Sequence, residues 1–309
     1  MSMPPFASVD DAGKLISPNA SGAIRAGLEA PTPSVDEDSK KIALMLVDAQ
    51  VDFVHEDGAL SVPGAVGDAE RTAQWIYRNA GKITHIFASL DSHIPLQIFF
   101  PTWWADDGGD HPDPYTPITV EEVEDGTWRP LYEVDWSLEY VHALKDQAKK
   151  DLMIWPFHVL LGTPGHALTP ILYEAIAYHS AARSAQPTLE IKGTIAKTEY
   201  YSLLEPEVKV PEDPRGTLNQ ALMGRLLSFD AIYFAGQAKS HCVLETIGSI
   251  VERHGDDRQA MEKIYLLEDC TSSVKHPEID FEALANEAYE DYAQKGMHIV
   301  NSSDALDRS

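Results

Sequence analysis

Apolar runs of strand length recur along the chain from Lys41 onward. They cover residues 42–47, 83–90, 152–155, 188–192, 231–235, 263–268 and 297–300. Most of these runs are continuous rather than alternating, which is typical of strands that are buried on both faces. Segments of helical character separate them, at residues 69–81, 167–183, 217–228 and 280–296. The pattern predicts an α/β fold with a parallel sheet that helices cover on both faces.

Two segments depart from this rhythm. Residues 1–38 are rich in Ser, Pro, Ala, Gly and Asp and have no sustained periodicity, so we expect an N-terminal extension that is loose or contacts another subunit of an oligomer. Residues 39–309 are predicted to form one domain. Within it, residues 101–150 carry Gly, Pro, Asp and Trp followed by a helical pattern, which predicts an insertion between strands of the sheet.

Composition narrows the choice of partners. The 309 residues include 49 acidic and 24 basic side chains, for a formal net charge of −25. No Lys/Arg cluster offsets this charge locally, so nucleic acid is excluded as a partner. No apolar run reaches the ~18 residues of a membrane helix, and the first residues lack a signal-peptide pattern. Two cysteines far apart in sequence fit a reducing, cytoplasmic environment.

Three chemically useful side chains follow predicted strands. Asp48 ends "IALMLVD", Lys192 ends "TLEIK" and Cys242 follows "AIYFAG", just before a helical pattern. Because parallel strands end at one edge of the sheet, the three groups can converge there. A carboxylate, an ammonium group and a thiol at a helix start, where the pKa of a cysteine is expected to be lowered, can build a nucleophile for an acyl centre. Taken singly, each residue is as well explained by packing, capping or solvation.

Several motifs together resemble those of a known superfamily. "LMLVDAQVDF" followed by "GAL", then "IKG…EYYS" and "AGQAKSHCVLET" resemble the isochorismatase-like cysteine hydrolases, and within them the nicotinamidase branch. The resemblance covers roughly residues 40–300 without the insertion. It implies a three-layer, mostly parallel six-stranded sheet with helices on both faces, and a catalytic triad of Asp48, Lys192 and Cys242. It also implies an oxyanion hole at the backbone N–H groups of Ala238 and Cys242, after a cis peptide bond at Gln237–Ala238.

The nicotinamidase branch also implies a metal site. "LDSHI" supplies Asp91 and His93, and "WPFH" supplies His158. A carboxylate and two imidazoles suit a divalent metal, with Zn expected and Mn or Fe as alternatives. Where many family members have a further histidine, this chain has Phe99 and Phe100. Water, or His111 or Asp113 of the insertion, would then complete the coordination shell.

The resemblance further implies a substrate. Phe53, Trp155, Tyr201 and His241 match family positions around the substrate ring, so we expect hydrolysis of nicotinamide to nicotinate and ammonia through a thioester on Cys242. A sister amidase acting on another small amide or carbamoyl compound is the alternative, and an inactive interaction module on the same fold is a third. Family members often self-associate, so a homo-oligomer is expected.

Overall fold

A central sheet of parallel strands organises the protein, whose computed structural model describes residues 4, 6–148, 150–277 and 279–306. In chain order the strands of the described residues are β1 (Ile42–Val47), β2 (His85–Asp91), β3 (Trp104–Ala105), β4 (Pro117–Ile118), β5 (Arg129–Pro130), β6 (Leu152–Met153), β7 (Thr188–Lys192), β8 (Ala231–Gly236), β9 (Ile264–Leu267) and β10 (His298–Val300). Six of them form the sheet in the order β10-β9-β8-β1-β2-β7, with parallel pairing throughout. The predicted fold class is therefore confirmed.

Helices connect the strands and cover the sheet. In the described residues they are α1 (Ala20–Glu29), α2 (Val51–Val54), α3 (Ala65–Asn79), α4 (Val120–Glu124), α5 (Val134–Ala143), α6 (Pro170–Arg183), α7 (Gln220–Leu227), α8 (Leu244–His254), α9 (Arg258–Met261) and α10 (Phe281–Gln294). A π-helical turn, Lys239–Val243, precedes α8. None of the described helices combines the length and the apolar character that crossing a membrane requires.

Two apolar layers sandwich the sheet. Strand β1 is buried along its whole length, and its side chains alternate between the layers. Leu44 and Leu46 face the layer built with α3 and α6, whereas Met45 and Val47 face the layer built with α7, α8 and α10. Burial on both faces explains why this strand has a continuous apolar sequence.

The run predicted as a strand at residues 152–155 does not join the central sheet. Only Leu152–Met153 is extended, and it pairs antiparallel with Pro117–Ile118 of the insertion. A second short antiparallel pair joins Trp104–Ala105 to Arg129–Pro130. A short apolar run indicates burial but does not specify its pairing partner, so this strand prediction was wrong in its location.

The N-terminal extension packs against its own chain within the described residues. Helix α1 lies on α6, so closely that a Cβ at Gly27 would stand 2.5 Å from the carbonyl oxygen of Tyr178. The buried guanidinium of Arg183 pairs with Asp38 at the end of the extension. Helix α1 is therefore docked rather than loose, while the boundary at residue 38 and a contact with another subunit stay predictions.

Candidate active site

The carboxyl ends of β1, β7 and β8 bring three predicted residues together. The Lys192 Nζ lies 3.0 Å from Asp48 Oδ2 and 3.7 Å from Cys242 Sγ. Ser89 on β2 donates a 2.6 Å hydrogen bond to Asp48 Oδ1, which fixes the carboxylate from its other side. The Lys192 ammonium also donates to the carbonyl oxygen of Tyr200 at 2.7 Å. The carboxylate, the ammonium and the thiol thus form one hydrogen-bonded cluster.

Burial controls the protonation of this cluster. Asp48 and Lys192 are almost wholly buried. Desolvation raises the pKa of Asp48 despite the nearby ammonium. Burial opposes the charge of Lys192, but Asp48 and Asp91 outweigh it and raise the pKa of the ammonium. Lys192 is therefore the fixed cation of the cluster, and Asp48 is a more basic carboxylate than an exposed one.

Cys242 lies at the junction of a strand and a helix. Strand β8 ends at Gly236, the peptide bond Gln237–Ala238 is cis, and the π-helical turn carries Cys242 into α8. Burial raises the pKa of the Cys242 thiol well above its ordinary value, although Lys192 opposes the rise. The expectation of a lowered thiol pKa was wrong, because desolvation outweighs the helix start. The sulfur therefore needs a base to become a thiolate.

A second polar cluster adjoins the first. The ligand atoms of Asp91, His93 and His158 lie within 4.8 Å of one another, and all three residues are buried. Asp91 Oδ2 is 3.0 Å from His93 Nε2, and Asp91 Oδ1 is 3.0 Å from Lys192 Nζ. A tetrahedral ion about 2.1 Å from each ligand atom would set those atoms about 3.4 Å apart, so the widest pair would have to close by up to about 1.4 Å for the three to hold a divalent ion.

Both imidazoles are oriented for coordination. His93 Nδ1 lies 3.2 Å from the carbonyl oxygen of Gly193, and His158 Nδ1 lies 2.7 Å from that of Pro156. A carbonyl oxygen only accepts, so each Nδ1 donates a proton to it and each ring directs its Nε2 toward the cluster. Burial, with His93 nearby, lowers the pKa of His158 to about 3, so its ring is neutral. Gly193, whose carbonyl orients His93, has φ +80°. A Cβ at this position would stand only 2.4 Å from Asp91 Oδ1, so a larger residue would displace the carboxylate.

One pocket, with a cavity volume of about 50 Å³, joins the two clusters. The predicted residues that line it are Phe53, Asp91, His93, Trp155, His158, Tyr201, Ala238, His241 and Cys242. Asp48 and Lys192 lie behind the sulfur and do not line it. Burial, followed by the charge of Lys150, lowers the pKa of His241 to about 3, so this ring is neutral as well. The structure therefore gathers every predicted site residue around one cavity.

Other lining residues were not predicted from the sequence to belong to the site. They are Leu60, Val62, Phe99, Glu199, Tyr200 and Val274. Among these residues, Glu199 is hydrogen-bonded to two side chains that were predicted to belong to the site. It accepts hydrogen bonds from Tyr201 at 2.7 Å and from the Trp155 indole at 3.2 Å. No local signal in "EYYS" marks Glu199, because the sequence does not show whether its carboxyl is buried or exposed.

Known structures resemble this architecture, although no protein-family model and no curated protein sequence matches the chain. The nicotinamidase/pyrazinamidase of Acinetobacter baumanii matches 87% of this chain and 100% of its own, with 20% identity and a TM-score of 0.54. The yeast nicotinamidase Pnc1p matches 84% of this chain and 99% of its own, with 18% identity and a TM-score of 0.56. The chain has the nicotinamidase fold.

A third structure of the nicotinamidase fold is PnC1 from L. infantum in complex with nicotinate. It matches 88% of this chain and 96% of its own, with 19% identity and a TM-score of 0.50. The fold that the resemblance implied is confirmed, while membership of the isochorismatase-like superfamily and its nicotinamidase branch stays a prediction. At this identity the likeness extends to the fold alone, so the reaction must be inferred from the side chains of the site.

Proposed function

We propose that this protein is a cysteine amidohydrolase that converts nicotinamide, or a closely similar aromatic amide, to the acid and ammonia. The observation that carries the proposal is the contact of Lys192 with both Asp48 Oδ2, at 3.0 Å, and Cys242 Sγ, at 3.7 Å, beside a mostly apolar pocket. A base, a fixed cation and a sulfur within reach of one another are the elements of nucleophilic acyl chemistry.

The proposed reaction has two halves. Asp48 takes the proton of the Cys242 thiol, and the sulfur attacks the carboxamide carbon, while the backbone N–H groups of Ala238 and Cys242 donate to the oxyanion. Asp48 returns the proton to the leaving nitrogen, the C–N bond breaks and ammonia departs from a thioester. Water then gives a proton to Asp48 and attacks the thioester, and the released sulfur regains that proton. Lys192 stays protonated and balances the charge of Asp48 throughout.

The proposed metal site supports substrate binding. Asp91, His93 and His158 would hold the ion, and their carboxylate and imidazole groups are donors that fit Zn, Mn or Fe. A bound ion would supply a Lewis acid to the ring nitrogen of the substrate, directly or through water. Phe53, Trp155, Tyr201 and His241 would enclose the ring and set its carboxamide against the sulfur.

The lining of the pocket favours a neutral aromatic amide over an amide that carries a carboxylate. Among the described residues that line it, none is Lys or Arg, while Asp91 and Glu199 are acidic. The nearby Lys192 is already paired with Asp48 and Asp91. A maleamate-type substrate would bring a further negative charge into this pocket, where none of the described lining residues is a cation and only the proposed metal ion could balance it.

Ammonia release from nicotinamide tests the proposal. Cys242→Ala should lower kcat by about 1,000-fold or more, because it removes the nucleophile. Cys270→Ala is the matched control, since it removes the other buried cysteine, which does not line the pocket, and it should retain the activity of the unmodified protein. Equal ammonia release by Cys242→Ala and the unmodified protein would exclude the thioester route.

A substrate panel tests the specificity. Nicotinamide and pyrazinamide should be hydrolysed with a higher kcat/KM than maleamate at the same pH. Preference for maleamate would instead assign the protein to the sister amidases.

A further inference from the structure

Glu199 is a carboxylate in the pocket wall that has no part in the proposed chemistry. Its side chain is 3% exposed, and it follows β7 in the segment that begins with Lys192. Its Oε1 accepts from the hydroxyl of Tyr201 at 2.7 Å and from the indole N–H of Trp155 at 3.2 Å. A buried carboxyl is stable only where its oxygens are hydrogen-bonded, so these two hydrogen bonds stabilise Glu199 in its buried position.

The second oxygen of Glu199 contacts the insertion. The hydroxyl of Tyr140, on α5, donates to Glu199 Oε2 at 3.2 Å and accepts from the backbone N–H of Glu199 at 3.1 Å. Tyr140 is fully buried and does not line the pocket. One turn earlier on α5, the indole of Trp136 donates to the carbonyl oxygen of Lys197 at 2.7 Å. Helix α5 is thus hydrogen-bonded at two positions to the segment that carries Glu199.

The two aromatic side chains that Glu199 holds also contact each other. The Trp155 Nε1 lies 3.1 Å from the Tyr201 hydroxyl, so both polar atoms are directed at one carboxylate. The ring of His241 packs edge-on against both, at centroid distances of 5.8 and 5.5 Å. The Lys150 ammonium, at the end of the insertion, lies 4.6 Å from the centre of the Tyr201 ring. These contacts leave the planes of Trp155 and Tyr201 little freedom to rotate.

We propose that Glu199 is a positioning residue through which the insertion fixes Trp155 and Tyr201 against the ring of the substrate. The identity of that ring rests on the proposed function. The insertion then contributes to substrate affinity through the chain of hydrogen bonds from Tyr140 to Glu199 to the two aromatic side chains. The chemical step, which depends on Asp48 and the sulfur, does not involve this chain.

Tyr140→Phe tests the chain of contacts by removing one hydroxyl that never touches the substrate. KM should rise about 3- to 10-fold, the effect of one hydrogen bond, while kcat stays within about 2-fold. Ser137→Ala is the matched control. Ser137 is a buried hydroxyl on the same helix, but it bonds Trp103 Nε1 and the carbonyl oxygen of Tyr132 within the insertion, so KM should not change. Equal KM values for the two variants would overturn the proposal.

Substitutions of Glu199 itself separate positioning from a general loss of structure. Glu199→Ala removes the acceptor of both aromatic side chains and should raise KM by more than Tyr140→Phe does. Glu199→Gln keeps an amide oxygen at the position of Oε1, and its NH2 group can donate to Tyr140, so KM should return to within about 3-fold of the unmodified value. A Gln variant as impaired in KM as the Ala variant would contradict the hydrogen-bond explanation.

Near-ultraviolet circular dichroism makes the test independent of turnover. Tyr140→Phe should change the tryptophan bands, and that change should vanish in a Trp155→Phe background. Any change caused by Ser137→Ala, whose hydroxyl accepts from the Trp103 indole, should persist in that background. A protein that shows this pattern but releases no ammonia from nicotinamide would lose the proposed function and keep the positioning role. A protein that hydrolyses nicotinamide while neither KM nor the spectrum responds to Tyr140→Phe would keep the function and lose the positioning role.

Discussion

The ionisation of Glu199 should be measurable as a dependence of stability on pH. Burial raises the pKa of this carboxyl from 4.5 to about 7, even though hydrogen bonds from Tyr201 and the charge of Lys150 oppose the rise. The folded protein then binds this proton more tightly than the unfolded chain does, so the contribution of Glu199 to stability is fully present below pH 4.5 and is lost as the pH rises through 7. At about 1.4 kcal/mol per pKa unit, the ionised carboxyl costs the folded state about 3 kcal/mol.

Glu199→Gln removes this titration while keeping the shape of the side chain. Urea unfolding of both proteins at pH 5 and pH 8 should show that the free energy of unfolding falls by about 2 to 3 kcal/mol more in the unmodified protein than in the variant. The exposed Glu252→Gln is the control, because it makes the same chemical change where the carboxylate is 71% exposed. Parallel pH dependences in the Glu199→Gln and unmodified proteins would refute the assignment of a buried, proton-binding carboxyl.

Three further variants test other parts of the structure. Lys192→Met leaves two buried carboxylates without their cation, so it should lower the free energy of urea unfolding by about 3 to 5 kcal/mol, and an unchanged value would contradict the buried ion pairs. His158→Ala should lower the bound divalent metal measured by elemental analysis, whereas His111→Ala, which changes a histidine bonded to the Trp104 carbonyl, should not. Arg183→Met should speed proteolysis within residues 20–38, because its buried guanidinium holds Asp38; unchanged cleavage would mean that other contacts suffice.

The fold was predictable because its signal is local. The strand runs at residues 42–47 and 231–235 are apolar at nearly every position, and burial on both faces of a parallel sheet requires such runs. The run at residues 188–192 forms the edge strand β7 and is partly exposed. The same topology sends the ends of these strands to one edge, which is why Asp48, Lys192 and Cys242 meet there. Their catalytic roles stay predictions, since proximity alone does not establish chemistry.

What the sequence did not reveal depends on contacts between distant segments. The raised pKa of Cys242 follows from the burial of the whole cluster, which no local motif reports. The hydrogen bonds of Glu199 to Tyr140 join residues 59 positions apart. The docking of α1 depends on a buried guanidinium at the end of α6, and a single arginine in a helical pattern indicates no partner. These features required the structure because they arise from tertiary packing.

The pairing of β2 with β7 fixes the spacing between the two polar clusters of the site. Asp91 and Lys192 are register partners in these neighbouring strands, so the backbone ladder itself holds the carboxylate beside the ammonium. If one strand slid by a single residue, each of its side chains would move to the opposite face of the sheet. The packing of the two apolar layers opposes this shift. Fluctuations of the surrounding loops therefore leave this spacing unchanged. The link between the two clusters should persist for as long as the strands remain paired, and should be lost only when they come apart.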